Sequence, residues 1–162
     1  AGLYVNELLY RLLHEHDPHE FLFKQYQIFL CQLNDGQLDE RNLRRLELSM
    51  LETLGYGLNL STDSETGLPV DRSLYYRYVP EQGLVKIKQL GATSINEYLG
   101  EDLLSLSRDD LQEISTLRVA KTLIRSVIDF YLDGRQLHSR ELYRQYLKTD
   151  FKNSNIPLKR RL

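Results

Sequence analysis

One stretch constrains the fold more than any other: Leu43 to Leu60, LRRLELSMLETLGYGLNL. On a 3.6-residue period Leu43, Leu46, Met50, Leu51 and Leu54 fall on one side and form a core-facing stripe. Asp39 stands where a side chain caps the free N–H groups, and Leu38 where it packs on Leu43 as a hydrophobic staple. Gly55 ends the helix, because glycine takes the left-handed conformation without penalty, and Tyr56 can pack back on the last turn.

Two features of this helix exceed what packing requires. Glu47 projects onto the edge of the apolar stripe, where an ionised carboxylate needs a partner such as an arginine. On another face Arg41, Arg44 and Arg45 surround Leu48. That pattern suits either a solvated basic face with one exposed leucine or a docking site for a peptide both acidic and hydrophobic.

At 162 residues the chain is expected to be one domain, large enough to bury a real core. No apolar run approaches the roughly 20 residues that span a bilayer, so no membrane segment is expected. The opening Ala-Gly-Leu-Tyr, with neither an initiator methionine nor a signal peptide, reads as a fragment or processed product. A single cysteine, Cys31, excludes an internal disulfide and suits a reducing cytosol. The net charge of −2 hides an asymmetry: from Leu111 onward there are 11 Lys/Arg against 5 Asp/Glu, and before it 10 against 18. A basic last third on an acidic body favours polyanions on one face only.

The periodicity predicts helices over Gly2–Glu15, with Leu3, Leu9, Leu12 and Leu13 apolar, and over Pro18–Leu33 after the break at Asp17-Pro18. The second carries Phe21, Phe23, Tyr26, Ile28, Phe29, Leu30 and Leu33 nearly all round, which means burial on several sides or a face that belongs to another domain. Asn34-Asp35-Gly36 turns the chain into the organising helix. After the polar loop Ser61–Gly67, the runs Leu74–Val79 and Leu84–Ile87 flank Pro80-Glu81-Gln82-Gly83, a β-hairpin signal. Ser107-Arg108-Asp109-Asp110 reads as a capping box opening a short helix. A helix over Thr116–Leu132 puts Leu117, Ala120, Ile124, Val127, Ile128 and Tyr131 on one face, with Arg118, Lys121 and Arg125 opposite. Asp133-Gly134 ends it, Ser139 caps a last helix carrying Arg140, Arg144 and Lys148, and a basic tail follows from Lys152. The expected fold is mainly α, a compact helical bundle over residues 1–162 with 61–91 as a loop and β-hairpin insertion.

No catalytic signature is present: neither a glycine-rich phosphate loop, a nucleophile elbow nor an H-E-x-x-H pattern appears. Cys31 lies within an apolar helix, where a thiol behaves as an inert small hydrophobe. His14, His16 and His19 straddle a proline and share no helix face, so neither metal nor cofactor is expected. The cations Arg118, Lys121, Arg125, Arg140, Arg144 and Lys148 can meet phosphates, and Tyr75, Tyr76 and Tyr78 can stack bases or pack on the core.

Four blocks, GLYVNELLYRLL, LRRLELSMLETLGYG, LPVDRSLYYRYV and TLRVAKTLIRSVIDFYLDGRQLHSRELYRQY, resemble the C-terminal helical part of the RecO family of bacterial recombination mediators. They cover roughly half the chain in the family's order. The resemblance implies a non-enzymatic role in DNA repair and recombination, in the bacterial cytoplasm at the nucleoid. Such a mediator helps load RecA onto single strands covered by single-stranded-DNA-binding protein, works with RecR, and anneals strands. It also implies an N-terminal OB-fold upstream of Ala1, which this chain lacks, and leaves only weak single-stranded DNA binding to the helical part, through Arg140, Arg144 and Lys148. Many members hold zinc through four cysteines in the region equivalent to Asn59–Leu90. This sequence has none there, so the zinc is not carried over and packing must hold the zinc-finger-like hairpin. The acidic C-terminal tail of single-stranded-DNA-binding protein, ending in a hydrophobic residue, suits a site made of Arg44, Arg45, Leu48, Arg118, Lys121 and Arg125. On this reading Arg44→Ala weakens binding without lowering stability. The rivals are a helical protein-interaction scaffold with no nucleic-acid role and a stand-alone DNA-binding module.

Overall fold

Along the chain run α1 (Gly2–Leu12), α2 (Glu20–Asn34), α3 (Glu40–Thr53), β1 (Tyr75–Val79), β2 (Gly83–Lys86), β3 (Glu97–Leu99), α4 (Gly100–Ser107) and α5 (Ile114–Tyr131), then a helical stretch at 138–142. The computed structural model describes residues 1–13, 18–37, 39–87, 96–142 and 145. The Leu38 staple, His14, His16, Arg144, Lys148 and the tail lie outside the described residues.

The organising helix forms from local signals. The Asp39 carboxylate accepts the Asn42 N–H at 3.0 Å. At the other end Gly55 takes φ 81° and the Tyr56 N–H reaches back to the Leu51 carbonyl at 2.8 Å, closing the helix. Leu46, Met50 and Leu51 of its stripe are buried, and α5 covers them. From α5 come Ala120, Leu123, Ile124, Val127 and Ile128, all without solvent exposure. The Tyr56 and Tyr131 rings stack at 3.6 Å between centroids, fixing the C-terminal ends of α3 and α5 side by side.

The sheet is larger than the expected hairpin. Its order is β2-β1-β3, antiparallel throughout, with Tyr76 opposite both Lys86 and Tyr98. Tyr76, Leu84 and Tyr98 enter the core, so one face of the sheet lies against the helices. Of the three tyrosines offered for stacking, Tyr76 is buried, its hydroxyl accepting the Asp71 N–H at 2.9 Å. The preceding loop is stitched to β2 through the Ser64 N–H and hydroxyl, both donating to the Leu84 carbonyl. The residues here do not fit a four-cysteine zinc site. The buried carboxylate, Asp63, accepts the Glu65 N–H at 2.9 Å. Among the described residues no three His, Cys, Asp or Glu side chains converge on a metal position.

Several local expectations are corrected. On α1 the core is met by Val5, Leu8 and Leu12, while Leu3 faces solvent. On α2 only Leu22 and Phe29 are buried, and Cys31 is exposed, so the thiol is not core packing. Ser107 closes α4 instead of opening a helix: Asp109 takes φ 58°, and the Asp110 N–H returns to the Ser105 carbonyl at 2.9 Å. Ser139 does not cap the last helical stretch. The Glu7 carboxylate, 132 residues away in sequence, accepts the Ser139 N–H at 2.8 Å and the His138 N–H at 2.9 Å.

Burial alone would raise the Glu7 carboxyl, but the two N–H donors and Arg11 outweigh it and hold it down at about 2. Its folded-state pKa lies below the unfolded value, so the clasp contributes stability above pH about 4.5 and loses it as pH falls toward 2. Glu7→Gln is therefore expected to cost about 1–2 kcal/mol at neutral pH. The difference from the parent should shrink on acidification, which thermal melts of both chains between neutral and acid pH would check.

Candidate functional site: the basic face of α3 and α5

Helices α3 and α5 pack against each other and run in the same direction. Lys121 reaches Glu40 at 3.4 Å near the start of α3, and Tyr56 meets Tyr131 at the far ends. Their cations do not form one uninterrupted basic groove. The Arg45 Nε–H is shared between both Asp109 oxygens at 2.8 and 2.9 Å, an approach created by the left-handed turn at the end of α4. Arg125 lies 3.7 Å from Asp129, one turn on. Arg41 donates from Nε to the Leu111 carbonyl at 3.0 Å and pairs with Asp39. Arg118 is exposed, and its side chain has neither an ion pair nor a hydrogen-bond partner among the described residues. Leu48 is half-buried and packs on the core, so it offers only part of its side chain to a ligand.

Arg44 is not on this surface. Its side chain is buried and forms an ion pair with Glu47, Nη1 lying 2.8 Å from Oε2. The other Glu47 oxygen accepts the Tyr4 hydroxyl at 2.6 Å, so α1 and α3 are joined through a carboxylate 1% exposed. Glu47 thus has the arginine that its position at the stripe's edge demands, and that arginine is spent inside the fold. Desolvation pushes the Glu47 carboxyl up, and Arg44 and the Tyr4 hydroxyl oppose it. Tyr4 is itself pushed above the ordinary tyrosine range, by burial first and then by the neighbouring Glu47 charge.

Arg140 is also drawn inward. Its guanidinium lies 5.6 Å above the Tyr4 ring and binds Asp129, which Arg125 also faces. Of the three residues assigned to DNA, it is therefore committed to a protein contact, and Arg144 and Lys148 lie outside the described residues. Helices α3 and α5 pack on each other, α3 carrying Arg45 and Leu48 and α5 carrying Lys121, Arg125 and the exposed Arg118; the recorded partners are Asp109 for Arg45, Glu40 for Lys121 and Asp129 for Arg125. Sequence reasoning missed the Tyr4–Glu47 and Glu7–Ser139 links, which join residues 43 and 132 apart and leave no local periodicity to read.

These contacts define a class: a mainly helical domain with a small antiparallel sheet inserted between α3 and α4, and with exposed cations on α3 and α5. A family model described as "Recombination protein O C terminal" matches residues 1–141, and the chain belongs to that family. It is 37% identical over 149 residues to the DNA repair protein RecO of Serratia proteamaculans, covering 91% of this chain and 60% of the relative. Identity to the DNA repair protein RecO of Coxiella burnetii is 38% over 142 residues, 88% of this chain and 60% of the relative. With the protein of that name from Dechloromonas aromatica it is 38% over 149 residues, 90% and 60% respectively. The chain thus spans about 60% of the length of the curated relatives it matches. Among the described residues no helix is long and apolar enough to cross a membrane.

Proposed function

We propose that this chain is the partner-binding helical part of a DNA-repair and recombination mediator that works without catalysis, in the bacterial cytoplasm at the nucleoid. In this reading it binds the acidic C-terminal tail of single-stranded-DNA-binding protein and RecR. Those contacts help load RecA on single strands and promote annealing, while single-stranded DNA is a weak ligand of this part alone. Membership of the RecO C-terminal family supports the class of function. The observation that supports the finer reading is the packing of α3 on α5, helices that carry Arg45 and Lys121 with Arg125, together with the exposed Arg118 side chain, unpartnered among the described residues. Resident carboxylates on Arg45, Lys121 and Arg125 are surface pairs, individually worth about 0–1 kcal/mol, so an incoming acidic peptide can exchange with them. Those same pairs are what a plain helical scaffold would show, and they make that the second reading.

Calorimetric titration with a peptide of the tail's chemistry separates the two. Micromolar affinity, about −8 kcal/mol, is expected. Arg118→Ala should weaken binding several-fold and leave the melting temperature unchanged, because that side chain makes no contact on which folding depends. Absence of binding, or binding indifferent to Arg118→Ala and to removal of the peptide's terminal apolar residue, selects the scaffold.

A further inference from the structure

A single carboxylate links the basic side of α5 to the helical stretch at 138–142. Asp129 Oδ1 meets Arg140 Nη1, and Asp129 Oδ2 lies 3.7 Å from Arg125 Nε, one turn back on the same helix. The two arginines are held differently. Arg140 donates a hydrogen bond to Asp129, whereas the 3.7 Å approach of Arg125 is too long for one. The Arg140 side chain is 19% exposed and that of Arg125 51%. Arg140 is also placed by contacts that do not involve Asp129. Its guanidinium lies over the Tyr4 ring of α1, Leu137 nearby is buried, and the Glu7 carboxylate holds the His138 and Ser139 N–H groups. Between α5 and this stretch lies a cavity of about 250 Å³ whose lining includes Arg125, Asp129, Arg135 and Arg140.

One carboxylate cannot neutralise two guanidinium groups, so the share of Asp129 that Arg140 takes is withheld from Arg125. We propose, resting on the reading of α5 as an acidic peptide's seat, that Arg140 is a positioning residue for that site. It takes up the Asp129 charge and leaves Arg125 available to an incoming carboxylate, without touching the peptide itself. Without Arg140, Asp129 falls to Arg125 as an ordinary i, i+4 pair. Its charge, no longer offset from the other side, also repels an acidic ligand. Both effects act in the same direction. The Glu7 clasp and the burial of Leu137 do not use the Arg140 side chain, so replacing it changes the charge at Asp129 while the stretch stays seated.

Calorimetric titration of the whole chain with an acidic peptide ending in phenylalanine tests this. Arg140→Ala should weaken binding about three-fold at low salt, the size of one exposed charge pair. Adding Asp129→Asn should restore the parent affinity although Arg140 is still missing. A merely structural role for Arg140 would leave that double variant as weak as the single one. Arg135→Ala removes an exposed cation from the same cavity and should change affinity far less, because Arg135 makes no pair with Asp129 among the described residues. A second readout needs no peptide: in NMR spectra, hydrogen exchange of the Arg125 Nε–H should slow in Arg140→Ala and recover in the double variant. Unchanged Arg125 exchange overturns the proposal. So does peptide binding that is indifferent to Arg140→Ala, weakened equally by Arg135→Ala, or not restored by Asp129→Asn; in those cases the peptide seat itself stands. No binding by the parent chain removes the seat, and the role of Arg140 with it.

Discussion

Arg44→Ala is expected to lower stability by about 3–5 kcal/mol, because it leaves Glu47 as an uncompensated charge inside the fold. For a chain of this length that corresponds to a fall in melting temperature of roughly 6–20 °C. The residual Tyr4 hydroxyl is one neutral donor and cannot replace a guanidinium. Burial already raises the Glu47 carboxyl, and Arg44 is the first of the groups holding it back, so the substitution raises it further. A carboxyl whose folded-state pKa lies above its unfolded value gains stability as pH falls below the folded value. The defect should therefore be largest at neutral pH and shrink on acidification, as for Glu7→Gln but for another reason: here the variant gains stability as Glu47 takes up a proton, whereas there the parent loses it as Glu7 does. Replacing both partners, Arg44→Met with Glu47→Leu, should be far milder than Arg44→Ala, since no buried charge remains. Denaturant melts of the three proteins at two pH values measure all of this. A loss below about 1 kcal/mol, or one independent of pH, would show that Arg44 is a surface cation after all.

The position of Arg44 shows where sequence reading succeeds and where it stops. The helix itself was legible because its signals are local: an apolar stripe, Asp39 before it and Gly55 after it, all realised. So was the requirement of Glu47 for an arginine, since the partner sits three residues away on the same helix. Which side of the helix Arg44 faces depends on Tyr4 and on where α1 packs, and those contacts arise from the whole fold. Ser107 was misread for a different reason: a Ser-x-x-Asp pattern looks alike at either end of a helix, and only the left-handed Asp109 decides between them. Strand β3, three residues long, is too short for alternation to register, and it exists by pairing with β1. The density of apolar groups on α2 was plain, but one of its two readings, burial on several sides, fails because Phe21, Phe23 and Ile28 are exposed. Family membership was legible because the four blocks fall in order along the chain, a property that needs no knowledge of side-chain direction.

Gly100→Ala should be the most damaging single-methyl addition in the domain. A Cβ at Gly100 would lie 2.0 Å from the Asp71 carbonyl oxygen and 2.9 Å from its carbon, and backbone cannot swing aside as a side chain can. The close approach is functional in the fold. Here the Gly100 N–H donates to the Leu74 carbonyl at 2.8 Å and the Glu101 N–H to the Arg72 carbonyl at 3.0 Å. Those bonds satisfy the first N–H groups of α4 and anchor the loop that leads into β1. An alanine forces this loop away, breaks both bonds and disturbs Val70, whose Cγ1 lies 3.1 Å from the added carbon. Overpacking typically costs about 1–3 kcal/mol, and the loss of two backbone bonds adds about 1 kcal/mol each, so a total of about 3–5 kcal/mol is expected. Gly57→Ala is the matched control: its nearest neighbours would be at an ordinary 3.9 Å, so the change should be close to neutral. If thermal melts find the two alanines equally tolerated, the loop from Val70 to Leu74 does not lie against the start of α4 in solution, and the sheet must be held to the helices by the Tyr76, Leu84 and Tyr98 side chains alone.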